Sequence, residues 1–317
     1  MKTEAKISDY LRIARFDHWV KQLFILPGVV FALVLVGESA RQDDLLFRLF
    51  AGFIATSLVA SSNYVINEWL DADFDRYHPT KKERTAVTTK LRGEFVYFEY
   101  FIFASLGLIA AYLTSELVLI VCAALLIMGI IYNVKPLRTK DIPYLDVLSE
   151  SINNVLRLLI GWFVVSNSYL PPITIVLGYW MGGAFLMATK RYAEYRMIGD
   201  RETAALYRRS FGKYTESSLL ISAFFYALNS VFFSGIFMIK YRIEFLLAIL
   251  PLCGLFCYYL YISQKNDSAA QKPEKIFREK GLILYVLIFI LLVALLLVVD
   301  IPILEPLTDT TLIGAGR

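Results

Sequence analysis

The chain has 317 residues, of which 57% are hydrophobic and 15% aromatic, and its mean hydropathy is +0.57. Such a composition excludes a soluble domain of this length and places the chain in a lipid bilayer. The net charge of +4 follows from basic membrane loops and predicts no nucleic-acid partner. The chain has two His and three Cys residues, with the Cys in apolar segments, so neither a His-based zinc site nor a disulfide framework is expected.

Nine apolar segments are long enough to cross a bilayer as helices, which takes about 20 residues each. They span roughly residues 20–38, 47–68, 95–114, 116–134, 147–167, 171–189, 217–239, 243–263 and 281–303. The sequence therefore predicts an all-α polytopic integral membrane protein with nine transmembrane helices and one domain over residues 1–317.

The distribution of basic residues predicts the orientation of these helices. Most of the 32 Lys and Arg residues fall in the N-terminal segment and in the loops after the second, fourth, sixth and eighth segments. Because basic loops stay in the cytoplasm, we expect the N-terminus there and the C-terminus outside, in a plasma (inner) membrane. The long charged loops are expected to form a cytoplasmic cap over a site.

The second apolar segment ends in a row of oxygen-bearing side chains. Asn67, Asp71 and Asp75 recur every four residues, so they share one face if the helix continues to Asp75. Such a row can bind hard cations such as Mg2+, and these cations can hold a diphosphate. Asp73 is out of phase and is expected to face solvent. The alternative interpretation of the whole row is a solvated acidic surface.

The loop that follows reads HPTKKER from His78 and is rich in cations. Lys81, Lys82 and Arg84 lie within reach of an anion bound at the aspartates, and we predict that Arg84 and one of the two lysines contact phosphate. A basic cytoplasmic loop with no specific role is the alternative.

A second mixed cluster follows the fourth segment and contains Lys135, Arg138, Asp141 and Asp146. Asp146 is also a candidate N-terminal cap of the next helix, and this role does not exclude metal binding. The sixth segment ends in a third basic pair, Lys190-Arg191, which is placed to reach into a central cavity.

The fifth segment carries a polar stripe in an apolar helix. Glu150, Asn153, Asn154 and Arg157 occur at spacings of three, four and seven residues. A charge in mid-membrane costs about 2.5 to 3.5 kcal/mol even on the lower scales, so the stripe must face a protein cavity or a bound anion. A buried structural pair of Glu150 with Arg157 is the competing account.

The two acidic motifs on a nine-helix chain resemble those of the UbiA superfamily of intramembrane prenyltransferases. The signature N-D-x-x-D-x-x-x-D matches Asn67, Asp71 and Asp75, with Glu68 in place of the second Asp. Members of the superfamily bind Mg2+ and a diphosphate between this motif and a second acidic motif. The resemblance therefore implies a UbiA-like bundle with Asp71, Asp75 and Asp146 as catalytic residues, and it implies a metal-ligand set of Asn67, Asp71, Asp75, Asp141 and Asp146.

Three stretches are similar to the polyprenyl-phosphate phosphoribosyltransferase branch of the superfamily: RFDHWVKQ at 15–22, HPTK at 78–81 and KRYAE at 190–194. This resemblance implies transfer of 5-phosphoribose from phosphoribosyl diphosphate to a polyprenyl phosphate for the cell envelope. A phosphoribosyl donor carries an additional phosphate that needs cations. The predicted phosphate-binding residues are Lys82, Arg84, Lys135, Arg138, Arg157, Lys190 and Arg191.

Two other functions remain open from the sequence. The first is a prenyltransferase that moves a polyprenyl group from its diphosphate to an aromatic or other acceptor. The second is a secondary transporter, although alternating access calls for polar features on both faces and for inverted repeats. Expected partners are the polyprenyl lipid, the diphosphate substrate and membrane lipids, and the oligomeric state is left open, with a homo-oligomer as one outcome.

Overall fold

The computed structural model of the chain describes residues 3–37, 44–265 and 278–304. Within these ranges, nine helical stretches have the length and apolarity of membrane spans: Ile7–Val36, Leu45–Asp75, Gly93–Thr114, Glu116–Asn133, Leu145–Val165, Ile173–Ile198, Glu216–Tyr241, Ile243–Ser263 and Lys280–Val298. The prediction of an all-α chain with nine transmembrane helices is therefore confirmed. The predicted outer position of the C-terminus concerns residues 305–317, which lie outside the described residues.

The regular elements are almost all helical. The α-helices are α1 (Ile7–Ile13), α2 (Leu26–Val36), α3 (Leu45–Asp75), α4 (Thr85–Thr88), α5 (Gly93–Thr114), α6 (Glu116–Asn133), α7 (Leu145–Val165), α8 (Ile173–Ile198), α9 (Arg201–Tyr207), α10 (Glu216–Tyr241), α11 (Leu246–Ser263) and α12 (Lys280–Val298). Among the described residues, 3-10 helical stretches lie at Phe16–Ile25, Lys81–Glu83, Thr139–Asp141, Arg209–Gly212 and Ile243–Phe245. Two short strands, β1 (Thr3–Glu4) and β2 (Thr89–Lys90), pair in parallel.

The chain forms two compact units. The first comprises Met1–Pro171 and Ile198–Glu216, and the second comprises Pro172–Met197 and Ser217–Arg317. The predicted single domain over residues 1–317 stays a prediction.

Small residues set the helix packing of the first unit. A Cβ atom at Gly107 of α5 would approach the backbone of Val59 and Ala55 in α3 to 3.0 and 3.2 Å, so these two helices touch through their backbones. The α2–α7 crossing is equally close, because Gly28 faces the carbonyl of Leu158 and Gly161 faces that of Ile25. Backbone approach through small residues is the usual basis of helix association in a bilayer.

The second unit is held by polar contacts between apolar helices. Ser230 of α10 donates a hydrogen bond to the Gly178 carbonyl in α8 at 2.8 Å, and Tyr285 of α12 donates to the Pro251 carbonyl in α11 at 2.9 Å. The acceptor of the latter bond is the carbonyl of Pro251, the proline that lies inside α11. Arg242 donates to the Val299 carbonyl at 2.9 Å and so caps the end of α12.

Helix α3 positions the acidic row and is the longest element of the first unit. It continues without a break from Leu45 to Asp75, which is the condition under which the row lies on one face. At its other end, Arg48 donates to the carbonyls of Val164 and Phe163 at 2.8 and 3.0 Å. These bonds occupy the last carbonyls of α7 and fix the two helices against each other.

Candidate active site

The Asp71 carboxylate lies between two cations. Its Oδ1 atom is 2.9 Å from Nη2 of Arg138 and 2.5 Å from Nζ of Lys140, while its Oδ2 atom accepts a hydrogen bond from Asn67 at 3.2 Å. Burial lowers the pKa of Lys140 to about 8, although the charge of Asp71 opposes that effect. One carboxylate therefore faces two closely placed cations at the end of α3.

The turn that supplies these cations is built between α6 and α7. Arg138 precedes the 3-10 turn at Thr139–Asp141 with φ at 29°, a left-handed conformation, and it donates to the Asn133 carbonyl at 2.9 Å. The Asn133 side chain connects this turn to α3, because its Oδ1 atom accepts hydrogen bonds from Lys140 of the turn and from Asn67 of α3, each at 2.6 Å. Asn133 and Lys140 were not predicted as site residues. Their sequence signal is their place in the polar run that begins at the last residue of α6 and continues into the turn before α7.

Asp75 lies one helical turn beyond Asp71 and pairs with a different cation. Its Oδ2 atom is 2.5 Å from Nη1 of Arg84, and both side chains are largely buried. Burial disfavours the charge on Arg84, but Asp75 and Glu68 outweigh that effect, so the pKa of Arg84 is raised. Arg84 of the basic loop thus lies against the acidic row, and its predicted contact with phosphate stays a prediction.

Glu68 fills a structural position beside the row. It forms an ion pair with Arg15, and its Oε1 atom accepts from the backbone amide of Ala86 at 3.4 Å. Arg15 has φ at 52°, so the chain turns into the stretch Phe16–Ile25 at this residue. The Glu that replaces Asp in the first motif therefore connects the N-terminal segment to the loop that carries Arg84.

The HPTK stretch is organised around a buried histidine. Nδ1 of His78 accepts from the backbone amides of Thr80 and Lys81, both at 3.2 Å. The Lys81 ammonium contacts the hydroxyl of Tyr207 and lies 4.6 Å from the centre of its ring. Lys82 is exposed and makes no side-chain hydrogen bond within the described part of the chain. Its predicted contact with phosphate stays a prediction.

The second acidic motif binds the segment that follows α8. Asp146 is fully buried and accepts hydrogen bonds from Tyr214 at 2.7 Å and from Ser210 at 3.1 Å. Arg208 approaches the same carboxylate at 3.7 Å. The expectation that Asp146 caps α7 was wrong, because the cap position is Tyr144 and the carboxylate bonds to distant side chains. These partners could not be predicted from the sequence, because they lie 64 and 68 residues away along the chain.

Asp141 belongs to a basic cleft next to Asp71. It accepts from Nε of Arg138 at 3.2 Å and lies 3.8 Å from Nη1 of Arg209. The cleft has a volume of about 600 Å3 and is lined by Lys135, Pro136, Leu137, Arg138, Asp141, Ile142 and Arg209. Arg138 is shared by the cleft and the Asp71 pair, so the two are contiguous.

Glu150 and Arg157 of the polar stripe on α7 bind other side chains and not each other. Glu150 accepts from the hydroxyl of Tyr132 at 2.7 Å, whereas Arg157 donates from Nε to Oε1 of Gln22 at 2.8 Å. The alternative of a buried Glu150–Arg157 pair was wrong, because the tyrosine hydroxyl and the glutamine amide occupy these two groups. Gln22 was not predicted, and it lies inside the RFDHWVKQ stretch that carried the family resemblance.

The remaining basic pair lies in the second unit. Arg191 is buried, and its Nη1 atom donates to Glu194 at 3.1 Å, so a carboxylate one turn along α8 already balances its charge. Lys190 precedes it in the same helix. Phosphate binding by these two residues stays a prediction.

The side chains near Asp71 are suited to a hard divalent cation that also has substrate ligands. In the described ranges, no three His, Cys, Asp or Glu side chains are close enough to hold a metal ion by themselves. The face of α3 nevertheless offers oxygen donors from Asn67, Asp71 and Asp75. Mg2+ is commonly held by one or two carboxylates together with phosphate oxygens and water, and such a set fits here.

Comparison with known proteins identifies the family. The model of the UbiA prenyltransferase family matches residues 25–280. The chain belongs to the UbiA prenyltransferase family. This membership confirms the family predicted from the two acidic motifs, and the expectation of a transferase is confirmed at the level of the family.

Curated relatives of this UbiA protein differ in their named activities. The decaprenyl-phosphate phosphoribosyltransferase of Mycolicibacterium smegmatis is 26% identical over 215 residues, which cover 67% of this chain and 64% of the relative. The chain thus aligns with just under two thirds of that relative's length. The protoheme IX farnesyltransferase of Alkalihalophilus pseudofirmus is 26% identical over 199 residues, covering 60% of this chain and 62% of the relative.

Solved structures confirm the UbiA fold. A UbiA homolog from Archaeoglobus fulgidus bound to GPP and Mg2+ superposes with a TM-score of 0.68 over 92% of this chain and 100% of that one, at 20% identity. The nine apolar helices found within the described ranges and this family membership together make the chain an integral membrane protein.

Proposed function

We propose that this UbiA protein is a Mg2+-dependent membrane transferase that moves 5-phosphoribose from phosphoribosyl diphosphate to a polyprenyl phosphate. The observation that carries the proposal is the Asp71 carboxylate held between Arg138 and Lys140. A diphosphate needs both direct cationic partners and a metal that carboxylates retain. The carboxylate of α3 in direct contact with two cations of the α6–α7 turn offers both, because each cation can turn from the carboxylate to a phosphate oxygen.

The metal would be held by the oxygen atoms of Asn67, Asp71 and Asp75, completed by diphosphate oxygens. Bound there, Mg2+ supplies neutralisation of the negative charge that develops on the leaving diphosphate. Arg138 and Lys140 bind the diphosphate on one side of Asp71, and Arg84 binds it beside Asp75. Asp146 holds the segment with Ser210 and Tyr214 through two hydrogen bonds, and a direct contact of Asp141 or Asp146 with metal stays a prediction.

The phosphoribosyl donor is supported by the basic cleft. Lys135, Arg138 and Arg209 line it with Asp141 as the one acid, so it has excess positive charge next to the diphosphate position. Phosphoribosyl diphosphate carries a further phosphate at the ribose 5-position, and the cleft offers that phosphate cationic partners. The relatives named decaprenyl-phosphate phosphoribosyltransferase support the same donor and a polyprenyl phosphate acceptor.

The orientation of the site follows from the donor. Phosphoribosyl diphosphate is water-soluble and highly charged, so it enters from the cytoplasm and not through lipid. We accordingly propose that the site lies at the cytoplasmic boundary of a plasma (inner) membrane, which the basic loops around it support.

A prenyltransferase is the second candidate function. It is favoured by the farnesyltransferase relative and by the Archaeoglobus fulgidus structures bound to GPP or DMAPP with Mg2+. In that case the diphosphate would enter on the prenyl chain, and an aromatic or other acceptor would replace the polyprenyl phosphate.

An assay with two substrate pairs separates these functions. Purified protein in lipid nanodiscs is given radiolabelled phosphoribosyl diphosphate with polyprenyl phosphate, or labelled prenyl diphosphate with 4-hydroxybenzoate, each with and without Mg2+. We expect a labelled lipid product from the first pair and only with Mg2+. Product from the second pair alone would replace the phosphoribosyl proposal by the prenyltransferase. Asp71→Ala is expected to abolish turnover, and Asp73→Ala is the matched control because Asp73 is exposed.

A further inference from the structure

Arg157 is a cation inside the membrane-spanning part of the first unit without an acidic partner. It donates from Nε to Gln22 Oε1 at 2.8 Å, and from Nη1 to the Asn153 carbonyl at 3.1 Å and to Asn154 Oδ1 at 3.3 Å. All these acceptors are neutral. No carboxylate among the described residues forms an ion pair with Arg157, and the Glu150 carboxylate accepts a hydrogen bond from the Tyr132 hydroxyl.

Two buried polar atoms beside this guanidinium are also unsatisfied. Gln22 is fully buried, and its Nε2 atom has no hydrogen-bond partner within the described ranges. The Oδ1 atom of Asn153 is likewise buried without a partner there. A buried polar group without a partner costs about 1 to 3 kcal/mol, so native proteins rarely retain one that has no ligand or role. The group thus contains one charge, one free donor and one free acceptor.

An anion would satisfy this group if it can both accept and donate hydrogen bonds. The guanidinium and the Gln22 amide donate, whereas Asn153 Oδ1 accepts. A phosphate monoester keeps a proton on one oxygen over part of the physiological range, because its second pKa is about 6. It can therefore accept from Arg157 and Gln22 and donate to Asn153, while a carboxylate at neutral pH has no proton to donate.

The depth of the group suits the acceptor rather than the donor. The Arg157 guanidinium bonds to Asn153 and Asn154, so it lies about one turn nearer to the start of α7 than its own Cα atom. Asn153 is seven residues beyond Asp146, which is about 10 Å along the helix axis. The group therefore lies deeper in the membrane-spanning part of α7 than the second acidic motif, where a lipid headgroup fits better than a water-soluble donor.

We propose that Arg157, Gln22 and Asn153 bind the phosphate headgroup of the lipid acceptor, a polyprenyl monophosphate. The inference rests on the proposed function. In the transfer, an acceptor phosphate oxygen forms the bond to C1 of the ribose while the bond from C1 to the diphosphate oxygen breaks. The diphosphate leaves with the electron pair, and the acceptor proton passes to water.

The decisive variant is Gln22→Glu, which places an acid against Arg157 and removes the site's excess charge without removing volume. We expect the variant to fold, because it supplies the missing counter-charge. The KM for polyprenyl phosphate should rise about 10- to 100-fold, which corresponds to the loss of one or two charge-assisted hydrogen bonds. The affinity for phosphoribosyl diphosphate should stay within a factor of about two, because that ligand binds elsewhere.

Direct binding distinguishes a failure of this inference from a failure of the proposed function. Wild-type protein is titrated with polyprenyl phosphate and with the corresponding polyprenol, without any donor, and binding is followed by native mass spectrometry. We expect tighter binding of the phosphate than of the alcohol, and loss of that preference in Gln22→Glu and in Arg157→Gln. An unchanged preference in both folded variants would overturn the inference. If the preference follows Arg157 but no phosphoribosyl transfer occurs, the donor assignment fails and the lipid phosphate site remains.

Discussion

Replacing Gly161 with Ala should separate α2 from α7 and disturb the site that depends on their crossing. A Cβ atom there would overlap the backbone carbonyl of Ile25 and approach the backbone nitrogen of Val29 to 3.0 Å. Both are backbone atoms of a packed helix, so no side-chain rotation can relieve the contact. The crossing also sets the distance between Gln22, just before α2, and Arg157, one turn before Gly161 on α7.

The magnitude follows from two opposing effects. Overpacking of a close helix contact costs about 1 to 3 kcal/mol, and a clash with backbone lies at the upper end of that range. Replacing Gly by Ala inside a helix returns about 1 kcal/mol through helix propensity. We therefore expect a net loss of about 2 kcal/mol in the free energy of unfolding.

Thermal unfolding in detergent micelles, followed by circular dichroism, measures this loss. Gly235→Ala in α10 is the matched control, because a Cβ atom there would meet only the Ile249 side chain at an ordinary 3.6 Å. The control should be as stable as the wild-type protein or more so. Equal stability of Gly161→Ala and Gly235→Ala would refute the close crossing. Gly161→Ala should also weaken binding of polyprenyl phosphate.

Two further substitutions test the surroundings of the metal site. Glu68→Gln leaves Arg15 without its carboxylate. Since Arg15 is partly exposed, we expect a loss of about 2 to 3 kcal/mol in unfolding free energy, at or below the lower end of the range of about 3 to 5 kcal/mol for broken buried pairs. Chemical denaturation measures this loss, and a variant as stable as the wild-type would contradict a structural role for Glu68. Asp146→Ala removes the carboxylate that accepts hydrogen bonds from Tyr214 and Ser210. Limited proteolysis should therefore cut residues 198–216 faster in the variant than in the wild-type protein. An unchanged cleavage rate would show that Asp146 does not hold this segment.

Local periodicity was sufficient to predict the acidic face. Asn67, Asp71 and Asp75 lie on one helix because the spacing of four residues and the apolar run before them leave no other regular arrangement. The nine spans follow from hydropathy for a similar reason, since each needs only its own residues. Both features depend on interactions within one segment, which a single sequence contains directly.

Partners that are distant in the chain could not be predicted in this way. Gln22 and Arg157 are 135 residues apart, and Asp146 and Tyr214 are 68 apart. Their pairing depends on which helices cross and where, and the spacing of polar residues within α7 was equally compatible with an internal pair. The close crossing of α2 and α7, where Gly28 lies against Leu158 and Gly161 against Ile25, is a packing feature that brings Gln22 and Arg157 together.

The most direct test of the account is whether the metal, the diphosphate and Asp71 occupy one place. Mn2+ is bound in place of Mg2+ together with phosphoribosyl diphosphate, and electron–nuclear double resonance measures the coupling of the metal to phosphorus. We expect a coupling that demonstrates metal-bound phosphate in the wild-type protein and in Asp73→Asn, and its loss in Asp71→Asn. The same coupling in Asp71→Asn as in the wild-type protein would contradict the assignment of the acidic row as the metal–diphosphate site.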